Sequence, residues 1–287
     1  MVIVMKNKIV KTLFTLPVIV YTLVLIALPL LYIFGISFFK SDSYGGIVNT
    51  FTLVNYIELF DTVYIKIFIK SVLIAIVTTI ICILIAYPFV LAISHKSKFK
   101  QKVLMTVVMV PFLTNSLIRM YAWIVLLRKN GVINNVLTSM HIISEPLNLM
   151  YNNLGIIIGM VYTLLPFMLL PLYSSVSAIP KSLLEAGSDL GASKWKIFTK
   201  IIYPATISGL FNGALMVFTP ALGYFFIVDV LGGGKIMILG NLIKNQFLTA
   251  RNWPFGAAIA VALLVITSII IYVYKKLGGK MDDLGGA

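Results

Sequence analysis

From Leu13 to Phe39 the chain runs without a single charged residue, and five further long apolar stretches follow, interrupted only by Lys70 and Arg119. A water-soluble fold has no way to bury so many apolar segments of this length. Each is long enough to cross the roughly 30 Å hydrocarbon core of a bilayer as a helix, which takes about 20 residues. Six spans are therefore expected, near 13–39, 67–93, 103–127, 154–179, 201–228 and 255–274, in one membrane domain covering 1–287. Composition agrees. The 287 residues are 60% hydrophobic and 11% charged, where a soluble domain carries about a quarter charged residues. Pro17, Pro29, Pro88, Pro111, Pro166, Pro171 and Pro220 fall inside these stretches. In a helix bundle, neighbours and Ser/Thr side chains satisfy the freed backbone groups, so kinks are expected there and not span ends.

The net charge of +14 raises the possibility of nucleic acid, but its placement points to a membrane. Lys6, Lys8 and Lys11, the HKSKFKQK turn from His95 to Lys102, Lys181 with Lys194, Lys196 and Lys200, and the Lys275, Lys276, Lys280 tail all fall on one side. The opposite loops are poorer in Lys and Arg, so both termini are expected in the cytoplasm. The first apolar run exceeds the roughly 7–15 residues of a cleavable signal core, which predicts an uncleaved anchor. Met5, just before Lys6, is a second candidate initiator. The external loops around Tyr44, Asn135 and Gly233 are long enough for short helices.

Residues for chemistry are sparse. Cys82 is the single cysteine and sits in an apolar run, which reads as packing. His95 and His141 fall on opposite sides, without partners at metal-ligand spacing. Gly232 to Met237, GGGKIM, lacks the earlier Gly and the following Ser or Thr of a phosphate loop. No catalytic residue, metal site or cofactor is expected in this chain. Nor is there a line of carboxylates through the spans of the kind a proton-driven carrier uses.

Two of the nine acidic residues, Glu185 and Asp189, stand four apart in SLLEAGSDLGASKWKIFTKIIYP, Ser182 to Pro204. Ser182 and Glu185 have capping-box spacing, which predicts a helix start at Ser182. Gly191 supplies a break, and Ser193 caps a second helix running into span five. On that helix Trp195, Phe198, Ile201 and Ile202 share an apolar face, opposite Lys196 and Lys200. Physics alone leaves two readings, a solvated interfacial loop or a handle for another protein.

Glu185-Ala186, Gly191, Ile201 and Pro204 stand in the register E-A-A-x3-G-x9-I-x-L-P, with Gly187 in place of the second Ala and Tyr203 in place of the Leu. The segment 180–204 thereby resembles the cytoplasmic coupling (EAA) loop of permease subunits in binding-protein-dependent ABC importers. VPFLTNSLIRMYAW (Val110 to Trp123), LLPFMLLPLYSSV (Leu164 to Val176) and GYFFIVDVLGGGK through NWPFGAA (Gly223 to Ala258) are similar to the B-type permeases of spermidine/putrescine importers, so that the likeness covers nearly the whole chain.

The resemblance implies an all-α, six-span, MetI-like fold in the bacterial plasma (inner) membrane. It also implies partners: a cytoplasmic ABC ATPase homodimer that binds ATP and Mg, a C-type permease, and an extracytoplasmic polyamine-binding protein. Glu185, Ala186, Gly187, Asp189, Gly191, Ile201 and Pro204 would carry ATPase coupling, with Asp189's own contact left open. Alternatives are an importer permease for another small solute or an ion-coupled secondary carrier.

Cation–π attraction suits Tyr224, Phe225, Phe226 and Asp229, at the external end of span five, to a polycation path or outer gate. On a straight helix Asp229 lies about 36 Å from Ala205, at or past the outer interface, so Pro220 and Gly223 are expected to break the helix first. The alternative is an interfacial aromatic belt in which Asp229 caps a loop. Arg119 is read as structural, snorkelling outward or paired with a loop carboxylate. Glu145 is a candidate contact for the binding protein, and Trp123 and Tyr162 read as packing.

Overall fold

The computed structural model of the chain describes residues 15–42 and 45–276, apart from the side chain of Lys275. The first lysine cluster, Met5, Tyr44 and the tail beyond Lys276 lie outside the described residues. In chain order the elements are α1 (Thr15–Ile36), β1 (Phe39–Ser41), β2 (Ile47–Phe51), α2 (Val54–Glu58), α3 (Thr62–Ser94), α4 (Lys98–Leu113), α5 (Ser116–Leu127) and α6 (Val132–Ser139). There follow α7 (Asn153–Ser177), α8 (Lys181–Asp189), α9 (Lys194–Gly223), α10 (Phe225–Gly232), α11 (Leu239–Leu248) and α12 (Trp253–Lys276). Among the described residues, five helices are long and apolar enough to cross a membrane, or six if the bent pair beginning with α4 and α5 counts as one span.

Helices run unbroken through Pro88, Pro166, Pro171 and Pro220, as expected of a bundle. Pro111 differs. It opens a 3-10 turn, Val110–Leu113. Thr114 turns extended, its hydroxyl donates to the Pro111 carbonyl at 2.6 Å, and the Asn115 side chain accepts the Leu117 N–H at 2.8 Å to start a new helix. The stretch read as span three, 103–127, is thus two helices meeting at 97°. A missing N–H at Pro111 and an Asn N-cap four residues later supply a stop and a start in close succession.

Two further prolines leave a subtler mark. Pro29 and Pro204 each follow a π turn, Leu23–Ala27 and Phe198–Ile202. A proline cannot donate to the carbonyl four residues back, and widening the turn to i→i+5 is one way for the helix to pass it.

The described backbone packs as two compact units, one from residues up to 65 with 242–265, the other from 66–241 with the described residues from 266 on. In the first, β1 and β2 form an antiparallel hairpin, and buried Asn55 donates to the Ser37 and Phe39 carbonyls to hold α2 against it. The hairpin is the one strand pair among the described residues, where the sequence suggested only short helices. Most of α1 is exposed and apolar, a surface suited to lipid or to another helix.

The second unit is built on α7 against α9. Gly209 and Gly213, one helical turn apart, bring the backbones together. A β-carbon at Gly209 would collide with Ser175 and the Pro171 carbonyl, and one at Gly213 would stand 2.7 Å from Met168 Sδ. Small residues four apart are a means of close helix approach in membranes. That G-x3-G spacing is a signal available in the sequence. Cys82 is fully buried nearby in α3, its thiol 3.9 Å from the Val161 carbonyl of α7.

Candidate functional site: the elbow and the outer cluster

The segment around Glu185 folds into a helix, a glycine turn and a second helix. The start of α8 corrects the capping-box expectation. Pro180 occupies the N-cap and Lys181 is the first helical residue, which places Ser182 inside the first turn and Glu185 one turn further on. Proline's fixed φ and missing N–H suit a helix entrance, so the start moves two residues upstream.

The end of α8 follows the glycine. Gly191 has φ +72°. Its N–H meets the Ser188 carbonyl at 2.9 Å, while the Ala192 N–H meets that of Gly187 at 3.1 Å. This is a Schellman motif, and its left-handed residue is the reason a glycine stands there. Ser193 then caps α9, its hydroxyl accepting the Lys196 N–H at 3.3 Å. α9 continues through the π turn and past Pro204 to Gly223, so elbow and span are one helix.

The two arms close on each other at Gly187. It is buried, and a β-carbon there would lie 2.9 Å from Ile201 Cδ1 and 3.6 Å from Ile197 Cγ1. Outside, Leu190 and Trp195 are 87% and 72% exposed, and Trp195 stacks on Phe198 with centroids 5.6 Å apart. Glu185 and Asp189 are exposed too. Both line a cavity of about 720 Å³ shared with His95, Lys96, Lys98 and Lys181. The carboxylates thus stand among this chain's own cations. The turn between α3 and α4 is held rigid by buried Gln101, which donates to the Ser94 and Lys96 carbonyls and accepts from Tyr173 Oη at 2.9 Å.

At the other end of α9 the backbone breaks at Tyr224 and restarts as α10. The helix passes Pro220 and ends at Gly223, later than Pro220 alone would stop it. Phe225 is exposed, whereas Tyr224, Phe226 and Asp229 are half-buried. Asn241 of α11 donates to Asp229 Oδ1 and to the Phe225 carbonyl, at 3.1 Å for the latter. Sequence reasoning missed Asn241, because nothing local ties it to a residue twelve positions earlier. Gly233 and Gly234, at φ +62° and +71°, form the turn that follows α10.

Arg119 pairs with no carboxylate among the described residues. Its Nε and Nη1 are buried without a hydrogen-bond partner, and the guanidinium lies 5.0 Å over the Phe112 ring. Phe112 stacks on Tyr162, which Trp123 meets edge-on. Trp123 and Tyr162 therefore pack as the sequence implied. Glu145 is exposed.

Spanning helices, one of them broken at 97°, and an elbow continuous with another mark a multi-pass membrane protein. The chain belongs to the family described as binding-protein-dependent transport system inner membrane component, whose profile matches residues 85–283. It is accordingly a protein of the inner membrane. It is 40% identical, over 88% of each chain, to the spermidine/putrescine transport system permease protein PotB of Haemophilus influenzae. To the protein of that name in Escherichia coli K12 it is 41% identical, over 87% of this chain and 90% of that one. Among solved structures it resembles a bacterial ABC transporter involved in import of the acidic polysaccharide alginate, with a TM-score of 0.76 at 17% identity over 95% of this chain and 97% of that one. That last likeness speaks to fold alone.

Proposed function

We propose that this chain is the B-type permease subunit of an ABC importer that moves spermidine and putrescine inward by alternating access. The observation carrying this reading is the 40–41% identity to polyamine permeases along nearly nine-tenths of the chain. The elbow adds a physical rationale. An ATPase closing on its nucleotide needs a protruding element that is rigidly joined to a span, and α8–α9 is built that way.

In this reading the segment 180–204 lies in the cytoplasm and docks into the ATPase homodimer. Glu185 and Asp189 offer charge, Leu190 and Trp195 offer apolar contact, and Ala186, Gly187, Gly191, Ile201 and Pro204 set the elbow's shape. A C-type permease completes the pore, and a polyamine-binding protein delivers substrate from outside. ATP and Mg are bound by the ATPase, and the permease is a non-catalytic subunit. Tyr224, Phe225, Phe226 and Asp229 form the outer end of the polycation path, where ring faces and one carboxylate attract an ammonium chain.

The test is uptake into proteoliposomes holding the permease pair, the ATPase and the binding protein. Labelled spermidine and putrescine are expected to accumulate only with ATP, and sulfate, sugars and amino acids are expected to stay out. Accumulation driven by an ion gradient without ATP overturns the reading.

A further inference from the structure

One side chain, Tyr87 of α3, reaches both ends of the π turn through which the elbow enters span five, one end directly and the other through Thr206. Tyr87 is buried. Its ring meets Phe198, the first residue of the turn, edge-on at 5.6 Å and 76°. Its hydroxyl is hydrogen-bonded to Thr206 Oγ1. Thr206 is fully buried, and its Oγ1 lies 2.8 Å from the carbonyl of Ile202, the last residue of the turn, with the Tyr203 carbonyl at 3.3 Å.

Donor counting gives the direction. A hydroxyl carries one proton, and a carbonyl only accepts. Thr206 spends its proton on the backbone, so Tyr87 donates to Thr206. Ring and hydroxyl together hold the widened turn from outside the helix. Without such a brace the turn is a weak point, since Pro204 removes one backbone hydrogen bond next to it. A displacement of the elbow would then be absorbed by flexing there.

The opposite end of α3 makes a second polar contact. Ser71 Oγ, buried about 24 Å along the helix from Tyr87, accepts the N–H of Leu239, the first residue of α11, at 2.9 Å. α11 in turn carries Asn241, the residue that holds Asp229. α3 thus runs from the elbow brace to the outer cluster.

We propose that Tyr87 is a positioning residue for coupling: it clamps the elbow's π turn to α3, so that movement of the elbow carries α3, and through Ser71 the outer cluster, with it. This rests on the importer reading above. The test uses the complete importer in proteoliposomes and measures ATP hydrolysed per polyamine imported. Tyr87→Phe removes only the hydroxyl, and Thr206→Val removes the bonded oxygen at constant shape. Each is expected to raise the ATP consumed per substrate several-fold, with complex assembly unchanged. Thr206→Ser keeps the hydroxyl and is expected to stay near the wild-type ratio. Wild-type ratios in both Tyr87→Phe and Thr206→Val overturn the clamp, and so does an equal loss in Thr206→Ser. Absence of ATP-driven uptake by the wild-type importer overturns instead the reading on which the clamp rests.

Discussion

Ile201 closes over Gly187, and the fit leaves room for a hydrogen but not comfortably for a methyl: a β-carbon there would sit 2.9 Å from Ile201 Cδ1. The two positions belong to opposite arms of the elbow. The register places an alanine at 187, and in this chain the glycine there lets the second arm pack against the first. The obstructing atom is the far end of a flexible side chain, so the site should yield to a small group and resist a large one. Gly187→Ala is expected to transport within about twofold of wild type, because a gain of about 1 kcal/mol in helix propensity offsets the shift of Ile201. Gly187→Leu is expected to pry the arms apart and lose transport. Uptake assays on both variants decide it, and equal activity in the two would refute the close packing.

Glu185 stands on the exposed side of α8 in a cavity that already contains Lys96, Lys98 and Lys181. Reversing its charge adds a fourth ammonium-like group beside them and removes the acidic handle. Glu185→Arg is expected to reach the membrane at normal levels yet fail to retain the ATPase through purification. Undiminished co-purification together with normal uptake would remove Glu185 from the docking role.

Gly191 holds φ +72° with no heavy atom near its absent β-carbon. The constraint is therefore backbone conformation and not space. A left-handed alanine costs about 1–2 kcal/mol, and asparagine tolerates that region better. The expected order of transport is Gly191, then Asn, then Ala, with Gly191→Trp inactive because its bulk blocks docking as well. Thermal unfolding of the purified subunits should follow the same order for Asn and Ala.

Asp229 is fastened by Asn241, which also bonds the Phe225 carbonyl. Asp229→Asn keeps the shape while removing the charge, and is expected to raise the KM for spermidine more than for putrescine, the shorter dication. Asn241→Ala releases the carboxylate from its place and is expected to lower the maximal rate. Identical kinetics in both variants would assign the pair to loop packing alone.

Arg119 presents the opposite case, a cation whose Nε and Nη1 are buried without partners. Replacing a half-buried guanidinium, two of whose nitrogens are buried without partners, with an apolar chain of similar length removes a desolvation penalty. Arg119→Met is expected to keep or raise the melting temperature of the isolated subunit in detergent. A clear drop would mean that the stacking on Phe112 contributes more than the two unpartnered nitrogens cost.

The elbow was legible because its signals are local. A glycine that must turn left-handed and a serine three residues before the N–H it caps are written in neighbouring letters. The start of α8 misled for a related reason. Ser182 and Glu185 have the spacing of a capping box, but Pro180, just upstream, is a stronger entrance and takes the N-cap itself. Asn241, by contrast, acts on a residue of a different helix, and no short-range pattern marks it.

Apolar run length by itself determined that this chain lives in a bilayer, since backbone and side chains alike must be satisfied without water there. The elbow register likewise determined where a glycine hinge would join a helix to span five. Tertiary structure alone decided that the third apolar stretch breaks at 97°, that Arg119 lies over the Phe112 ring, and that Tyr87 meets Thr206 across 119 residues of sequence. Periodicity reports what a segment prefers along its own axis. Which side chains meet depends on the approach of whole helices, and that is set by small residues such as Gly209 and Gly213 acting on partners far away in the chain.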